Sequence, residues 1–191
     1  MDKPRLQILT VSTRDGRKGP AVAAWFERVA QEHGQFEIQP IDLKAVNLPM
    51  MDEPQHPRLR HYHYEHTKAW SATIDAADAF VFVTPEYNYS TPPSLSNALD
   101  YLVHEWEYKP LGFVSYGGIS GGVRSVQMTK LLVSALKMVA IPEAVALPFF
   151  AHYINAESGL FDPPEVQTKA GVAMLDELLK WTTALRTLRA H

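Results

Sequence analysis

Cysteine is missing from all 191 residues. Disulfides, thiolate metal sites and a cysteine nucleophile are therefore excluded, and a cytoplasmic protein is expected. Long apolar runs are missing too. Nothing approaches the roughly 18 consecutive apolar residues of a membrane helix. The apolar run in the opening MDKPRLQILTVSTRD is too short for a signal peptide. There is no long basic run, and 18 basic residues against 21 acidic ones give a formal charge of -3. That balance argues against nucleic acid as a partner. No internal repeat and no linker divide the chain, so residues 1–191 are expected to form a single domain. Hydrophobic residues make up 46% of it, which is ordinary for a globular core.

What is present is an alternation of strands and helices. Residues 6–11 are a short apolar run with β-branched members, as a buried strand requires. Residues 12–19 (STRDGRKG) are a polar loop, and Pro20 suits the first turn of a helix striped by Val22, Trp25 or Phe26, and Val29. Residues 36–39 alternate like a second strand, which Pro40 assigns to a sheet edge. A proline- and histidine-rich segment (47–66) precedes a helix over 68–77. A buried strand follows at 79–83. Then comes TPEYNYSTPP and a helix with Leu95, Ala98, Leu99 and Leu102 on one face, Thr91 as N-cap and Pro92 at its first position. A fourth strand spans 111–116. GGISGG leads into a helix read through Val126, Leu131, Leu132 and Leu136. A short fifth strand spans 144–147. Asp162 and Glu165 resemble a capping box, with Pro163 opening the last helix. That helix carries Val166, Ala170, Leu175, Leu178, Leu179 and Leu185, with Lys180, Arg186 and Arg189 toward its C-terminal end.

Such alternation predicts an α/β three-layer sandwich: a five-stranded parallel sheet, helices on both faces, in the flavodoxin-like order 2-1-3-4-5. Ligands in this architecture bind beyond the carboxyl ends of the strands, where the strand order reverses. Three loops of unusual composition leave those ends. The first offers Ser12, Arg14, Arg17, Lys18 and a helix N-terminus, a combination suited to phosphate. It is neither GxxxxGK[ST] nor GxGxxG. The third, with four glycines in six residues, lets backbone approach a flat ligand.

Two patterns invite other readings. Gly118-Ile119-Ser120-Gly121-Gly122 satisfies the G-x-S-x-G of serine hydrolases, with Asp176 and His191 in the required order. Asp176, however, lies inside a helical pattern and His191 is the final residue. His56, His61, His63 and His66 cluster without a recognised metal spacing, so a lid or subunit contact is expected there and no metal. Trp106 and Tyr108 are expected near the crevice as exposed aromatics at a subunit interface.

In LTVSTRDGRKG, FVFVTPEYNYSTPPSLSNALDYL and SYGGISGGVRS the chain resembles the NADPH-dependent FMN reductase family, which includes quinone, azo-dye and chromate reductases. The resemblance implies FMN as cofactor and NADPH or NADH as co-substrate. It implies a ping-pong cycle, with hydride passing from NAD(P)H to flavin N5 and then to a quinone, flavin, azo compound or similar small acceptor. Ser12 and Arg14 match phosphate ligands. Pro85, Glu86, Tyr87 and Asn88 match the loop along the isoalloxazine, acting largely through backbone. Tyr116, Gly117, Gly118 and Gly121 match the loop at the ring's other edge, with Ser120 between them. The family's second loop serine is replaced here by Arg17, so the third phosphate contact falls to Arg17, Lys18 or a loop amide. The flavin carries the chemistry, so no side chain is assigned as catalytic. The Glu86 carboxylate is expected to matter less than Pro85 or an open Gly118. A homodimer or homotetramer is implied. A flavodoxin-type electron carrier is the alternative, and a serine hydrolase the more remote one.

Overall fold

The structure is a computed structural model that describes residues 2–189. Strands β1 (Arg5–Thr10), β2 (Glu37–Asp42), β3 (Ala79–Pro85), β4 (Pro110–Tyr116) and β5 (Val139–Leu147) form one sheet in the order β2-β1-β3-β4-β5. All neighbouring pairs are parallel. Helices α1 (Gly19–His33), α2 (Leu43–Val46), α3 (Glu65–Asp75), α4 (Pro93–Asp100), α5 (Val123–Ala135) and α6 (Glu165–Arg189) lie between and after the strands.

The central strands are buried on both faces, and their two-residue period sorts side chains by size. Val81 and Val83 of β3 join Val114, Ile8 and Leu6 beneath α1 and α6, where Trp25, Phe26, Met174 and Leu175 fill the space. Phe80 and Phe82 point the other way with Phe113 and Leu9, and meet Trp70, Leu95 and Leu99 of α3 and α4. Small strand residues thus face large helix residues on one side, while on the other both the strands and the helices contribute large ones. β2 runs through Pro40, which pairs with Ile8 in register. An edge strand tolerates this because one side needs no ladder donor.

Several expectations need correction. β5 begins at Val139, five residues before the apolar run that signalled it. Pro142 sits where the register shifts, and two extra β5 residues bulge between Ala140 and Ala144. α4 starts one residue late: Pro92 is the N-cap and Pro93 follows, while the Thr91 hydroxyl accepts a bond from Thr129. α5 buries Ser125, Val126, Thr129 and Val133, whereas Leu131 and Leu132 face solvent. Small hydroxyl residues take the tight positions on the sheet, and the leucines sit on the outer ridge. α6 starts at Glu165, not at Pro163, and Asp162 donates its backbone N–H to Tyr153 O. Val166 is exposed. Arg186 and Arg189 bind Asp78, which also receives the Arg5 N–H. They anchor α6 to the amino end of the sheet.

Trp106 is the largest departure. It is fully buried, packed against Trp70, Phe80 and Phe82 at ring centroid distances of 6.1, 5.1 and 6.4 Å. The segment 102–108 connects α4 to the start of β4, at the amino ends of the strands, so it lies away from the crevice.

Candidate functional site

β1 and β3 are neighbours, yet α1 packs on one face of the sheet and α4 on the other. The chain therefore splits at their carboxyl ends and leaves a crevice. A cavity of about 310 Å³ occupies it. Ser12, Arg14, Lys18, Pro85, Glu86, Tyr87, Tyr116, Gly117 and Gly118 line it. The sequence had singled out each of these. Arg17, Asn88, Ser120 and Gly121 are not among its lining residues, and Asn88 is exposed.

The first loop is braced rather than free. Arg17 donates through both terminal nitrogens to the Asp42 carboxylate at the end of β2, and to Ser12 O at 2.7 Å. The hydrogen bond from Arg17 holds the Asp42 carboxyl below its ordinary range, against the opposing effect of burial. Arg17 is thus committed to Asp42. Arg14 and Lys18 stay exposed beside the cavity. Ser12 is buried, its Oγ 2.8 Å from Tyr87 Oη.

The second loop owes its shape to a turn. Tyr87 and Ser90 exchange backbone hydrogen bonds of 3.1 and 2.9 Å. Asn88 and Tyr89 between them have φ of 49° and 67°. Two consecutive left-handed residues are what a two-residue type I′ turn demands. Asn tolerates this conformation well, while Tyr89 holds it under strain. The Ser94 hydroxyl donates to Val11 O at 2.8 Å, joining the start of α4 to the end of β1.

Glu86 ties the second loop to the third. Its Oε2 accepts from the Ser120 hydroxyl at 2.8 Å and from Arg124 N at 3.2 Å, and its Oε1 from Arg124 Nη1 at 2.9 Å. Burial pushes this carboxyl up, but the bonds from Ser120 and Arg124 prevail and hold it below its ordinary range. The Arg124 guanidinium also lies 4.0 Å from the Tyr89 ring centroid. In the third loop two glycines differ in purpose. A Cβ on Gly121 would lie 2.9 Å from Pro148 N, at a φ of 59°, so the fold requires this glycine. A Cβ on Gly118 would meet nothing within 4 Å. Gly118 borders the cavity, and its missing side chain keeps space open there.

A fourth wall went unread in the sequence. Phe149, Phe150, Ala151 and His152 follow β5 and line the cavity. Phe149 N donates to Gly118 O at 3.0 Å, and the Phe150 ring lies 4.8 Å from that of Tyr116. The signal was the run PFFAHY directly after a strand, on the same end of the sheet as the other three loops.

The other expected patterns resolve into framework. Ser120 is held by Glu86, and Asp176 pairs with His33 at 3.1 Å. His191 lies outside the described residues. The histidine segment is bolted to α4: Asn97 brackets Met51 N and Pro49 O, Asp52 accepts from Tyr101 and pairs with His66, and Glu53 accepts from His63 N and Tyr64 N. Among the described residues no three His, Asp or Glu side chains gather as a metal site. A second cavity of about 380 Å³ beside α2 and α4 offers Lys44, Ser94 and Asn97. These are already bound to Asp15, Val11 O and Pro49 O.

FMN, the group implied by the resemblance, needs an anion seat at one end and a flat apolar slot at the other. The cavity has both. Ser12, Arg14 and Lys18 stand at the N-terminus of α1, and Tyr116, Phe149 and Phe150 form the aromatic side. Gly118 leaves room for a ring.

Comparison with known proteins agrees with this geometry. The family model described as NADPH-dependent FMN reductase matches residues 4–152. The chain is 40% identical over 168 residues to an NAD(P)H-dependent FMN reductase of Schizosaccharomyces pombe, covering 87% of this chain and 82% of that protein. It is 43% identical over 61 residues to an NAD(P)H:quinone oxidoreductase of Solanum tuberosum, covering 30% and 31% of the two chains. The flavoenzyme FerB, an NAD(P)H:(acceptor) oxidoreductase from Paracoccus denitrificans, superimposes with a TM-score of 0.74 at 20% identity, over 95% of this chain and 98% of that one. The family match ends at His152, so it takes in all four loops around the cavity. This chain belongs to the NADPH-dependent FMN reductase family.

Proposed function

We propose that this protein is an FMN-dependent NAD(P)H oxidoreductase whose electron acceptor is a quinone, a flavin, an azo compound or a similar small planar molecule. The observation that carries the reading is the two-ended cavity at the β1/β3 switch point, cationic at one end and aromatic at the other. When bound, FMN supplies the hydride and electron transfer.

The residues of this chain bind, align and shield. Ser12, Arg14, Lys18 and the α1 N-terminus hold a phosphate. Arg17 fixes the loop that presents them by gripping Asp42. Pro85, Glu86, Tyr87 and Asn88 form one ledge for a flat ring, kept rigid by the Tyr87–Ser90 turn. Gly117 and Gly118 form the facing edge, with Tyr116 behind them, and Ser120 and Gly121 keep that edge in register with Glu86 and β5. Phe149 and Phe150 exclude water from one side. No side chain needs to act as acid, base or nucleophile. The bonds that hold Ser120 and Asp176 disfavour a hydrolase.

Residues 1–191 act as one flavin-binding domain in this reading, in the cytoplasm, as a homodimer or homotetramer. Met128, Leu131 and Leu132 support assembly: they expose an apolar ridge along α5 at helical spacing. Among the described residues no helix is long and apolar enough to cross a membrane. The test is NAD(P)H oxidation by the FMN-loaded protein against a panel of acceptors under each nucleotide. Turnover with quinone or flavin is expected. Bound FMN without nucleotide oxidation would make the protein an electron carrier instead.

A further inference from the structure

Tyr116 carries a hydroxyl the fold does not explain. The residue is 3% exposed, and its Oη is buried without a hydrogen-bond partner. Such a group is costly and calls for an explanation. Its surroundings are specific. A Cβ on Gly19, the first residue of α1, would lie 2.7 Å from Tyr116 Oη and 3.6 Å from Ser12 Cβ. Glycine at that position therefore lets the phenol and Ser12 sit together beneath the helix N-terminus. Tyr116 Oη is too buried for a ligand atom to reach it directly, so it must act through a neighbour.

Ser12 is that neighbour. Its hydroxyl has one proton and two acceptor lone pairs. Ser12 Oγ pairs with Tyr87 Oη at 2.8 Å, and Tyr116 Oη, beside them, makes no hydrogen bond of good geometry among the described residues. Burial, reinforced by the neighbouring Tyr87, pushes the Tyr116 phenol up against the opposing pull of Ser12 beside it, so it keeps a proton to donate. Three hydroxyls, two from loops and one from the end of β4, thus meet at the anion end of the cavity with one donor unused.

We propose that Tyr116 is a positioning residue that readies Ser12 for the phosphate group of FMN. Ser12 gives its proton to a phosphate oxygen, and Tyr116 donates to the Ser12 oxygen from behind. Ser12 becomes a better donor because its own oxygen is then polarised by a second hydrogen bond. The inference rests on the FMN reading of the cavity and assigns the phosphate end of it.

Flavin-free protein is titrated with FMN and, separately, with riboflavin, followed by quenching of flavin fluorescence. Tyr116→Phe is expected to raise the Kd for FMN about five- to twentyfold and to leave riboflavin unchanged. Ser12→Ala is expected to weaken FMN as well. In the Ser12→Ala background, Tyr116→Phe should then change FMN binding less than about twofold, because its target is gone. The thermal midpoint of flavin-free Tyr116→Phe should stay at or above that of the parent, since the variant removes a buried unpaired group. Additive losses in the double variant, an equal loss of riboflavin, or a large fall in the midpoint each overturn the proposal. A parent protein that binds riboflavin as tightly as FMN refutes the phosphate seat and leaves a flavin enzyme standing. A parent that binds neither flavin refutes the proposed function and this inference with it.

Discussion

Arg124 Nη1 meets Glu86 Oε1 at 2.9 Å, and the same guanidinium covers the Tyr89 ring at 4.0 Å. One ion pair therefore fastens the loop after β3 to the first turn of α5, and with it the width of the cavity. The composition of TPEYNYSTPP pointed to its backbone as the important part, with the carboxylate secondary. The structure gives that carboxylate three hydrogen bonds. Glu86→Gln is expected to weaken FMN and riboflavin together, by about tenfold, because it relaxes both walls. Fluorescence titration of the two flavins checks this. A loss confined to FMN would place Glu86 at the phosphate instead.

Gly118 and Gly121 separate binding from folding. Gly118→Val adds a side chain to open space, so chemical denaturation should change little while flavin affinity falls at least a hundredfold. Gly121→Val must press on Pro148 N at 2.9 Å and hold a β-branched residue at a φ of 59°. It should lower stability by roughly 3 kcal/mol or more. The reverse pattern would mean that the cavity is not where the ring lies.

Arg14 and Arg17 are expected to behave differently although they lie three residues apart. Arg14→Ala should weaken FMN far more than riboflavin and leave the stability of flavin-free protein unchanged. Arg17→Ala should lower stability by about 1–2 kcal/mol, discounted for the partial exposure of Asp42. The pH dependence follows from Asp42. Its folded pKa is depressed by Arg17, so the pair's contribution is complete at neutral pH and is lost as pH falls through the folded value. The stability gap between the parent and Arg17→Ala should therefore narrow as pH drops from 5 toward 3. Urea melts across that range measure it.

Trp106→Ala should cost about 3–5 kcal/mol in urea melts and leave the oligomeric state of the folded protein unchanged. Its ring touches Trp70, Phe80 and Phe82 inside the monomer. Leu131→Lys should do the opposite, shifting sedimentation toward monomer with little loss of monomer stability.

The legibility of this chain in its sequence depended on where a residue's role was decided. Val81, Phe82 and Val83 form a strand whatever surrounds them, so the sheet and its order could be read from apolar runs and alternation. The three loops could be read because Ser12, Pro85 and Gly118 are types chosen for hydroxyl, rigidity and absence of bulk. Leu131 and Trp106 were misplaced because burial depends on which face the sheet takes, and composition does not report that. Phe149 and Phe150 were missed because only the end of β5 puts them at the cavity. Arg17 read as a phosphate ligand because its partner, Asp42, lies on another strand.

The most direct test is the absorption spectrum of the FMN-loaded protein without oxygen. Adding NADPH or NADH should bleach the flavin band at a rate that saturates with nucleotide, and a quinone should restore it. A protein that stays colourless after incubation with FMN, or a bound flavin band untouched by either nucleotide, would contradict the account.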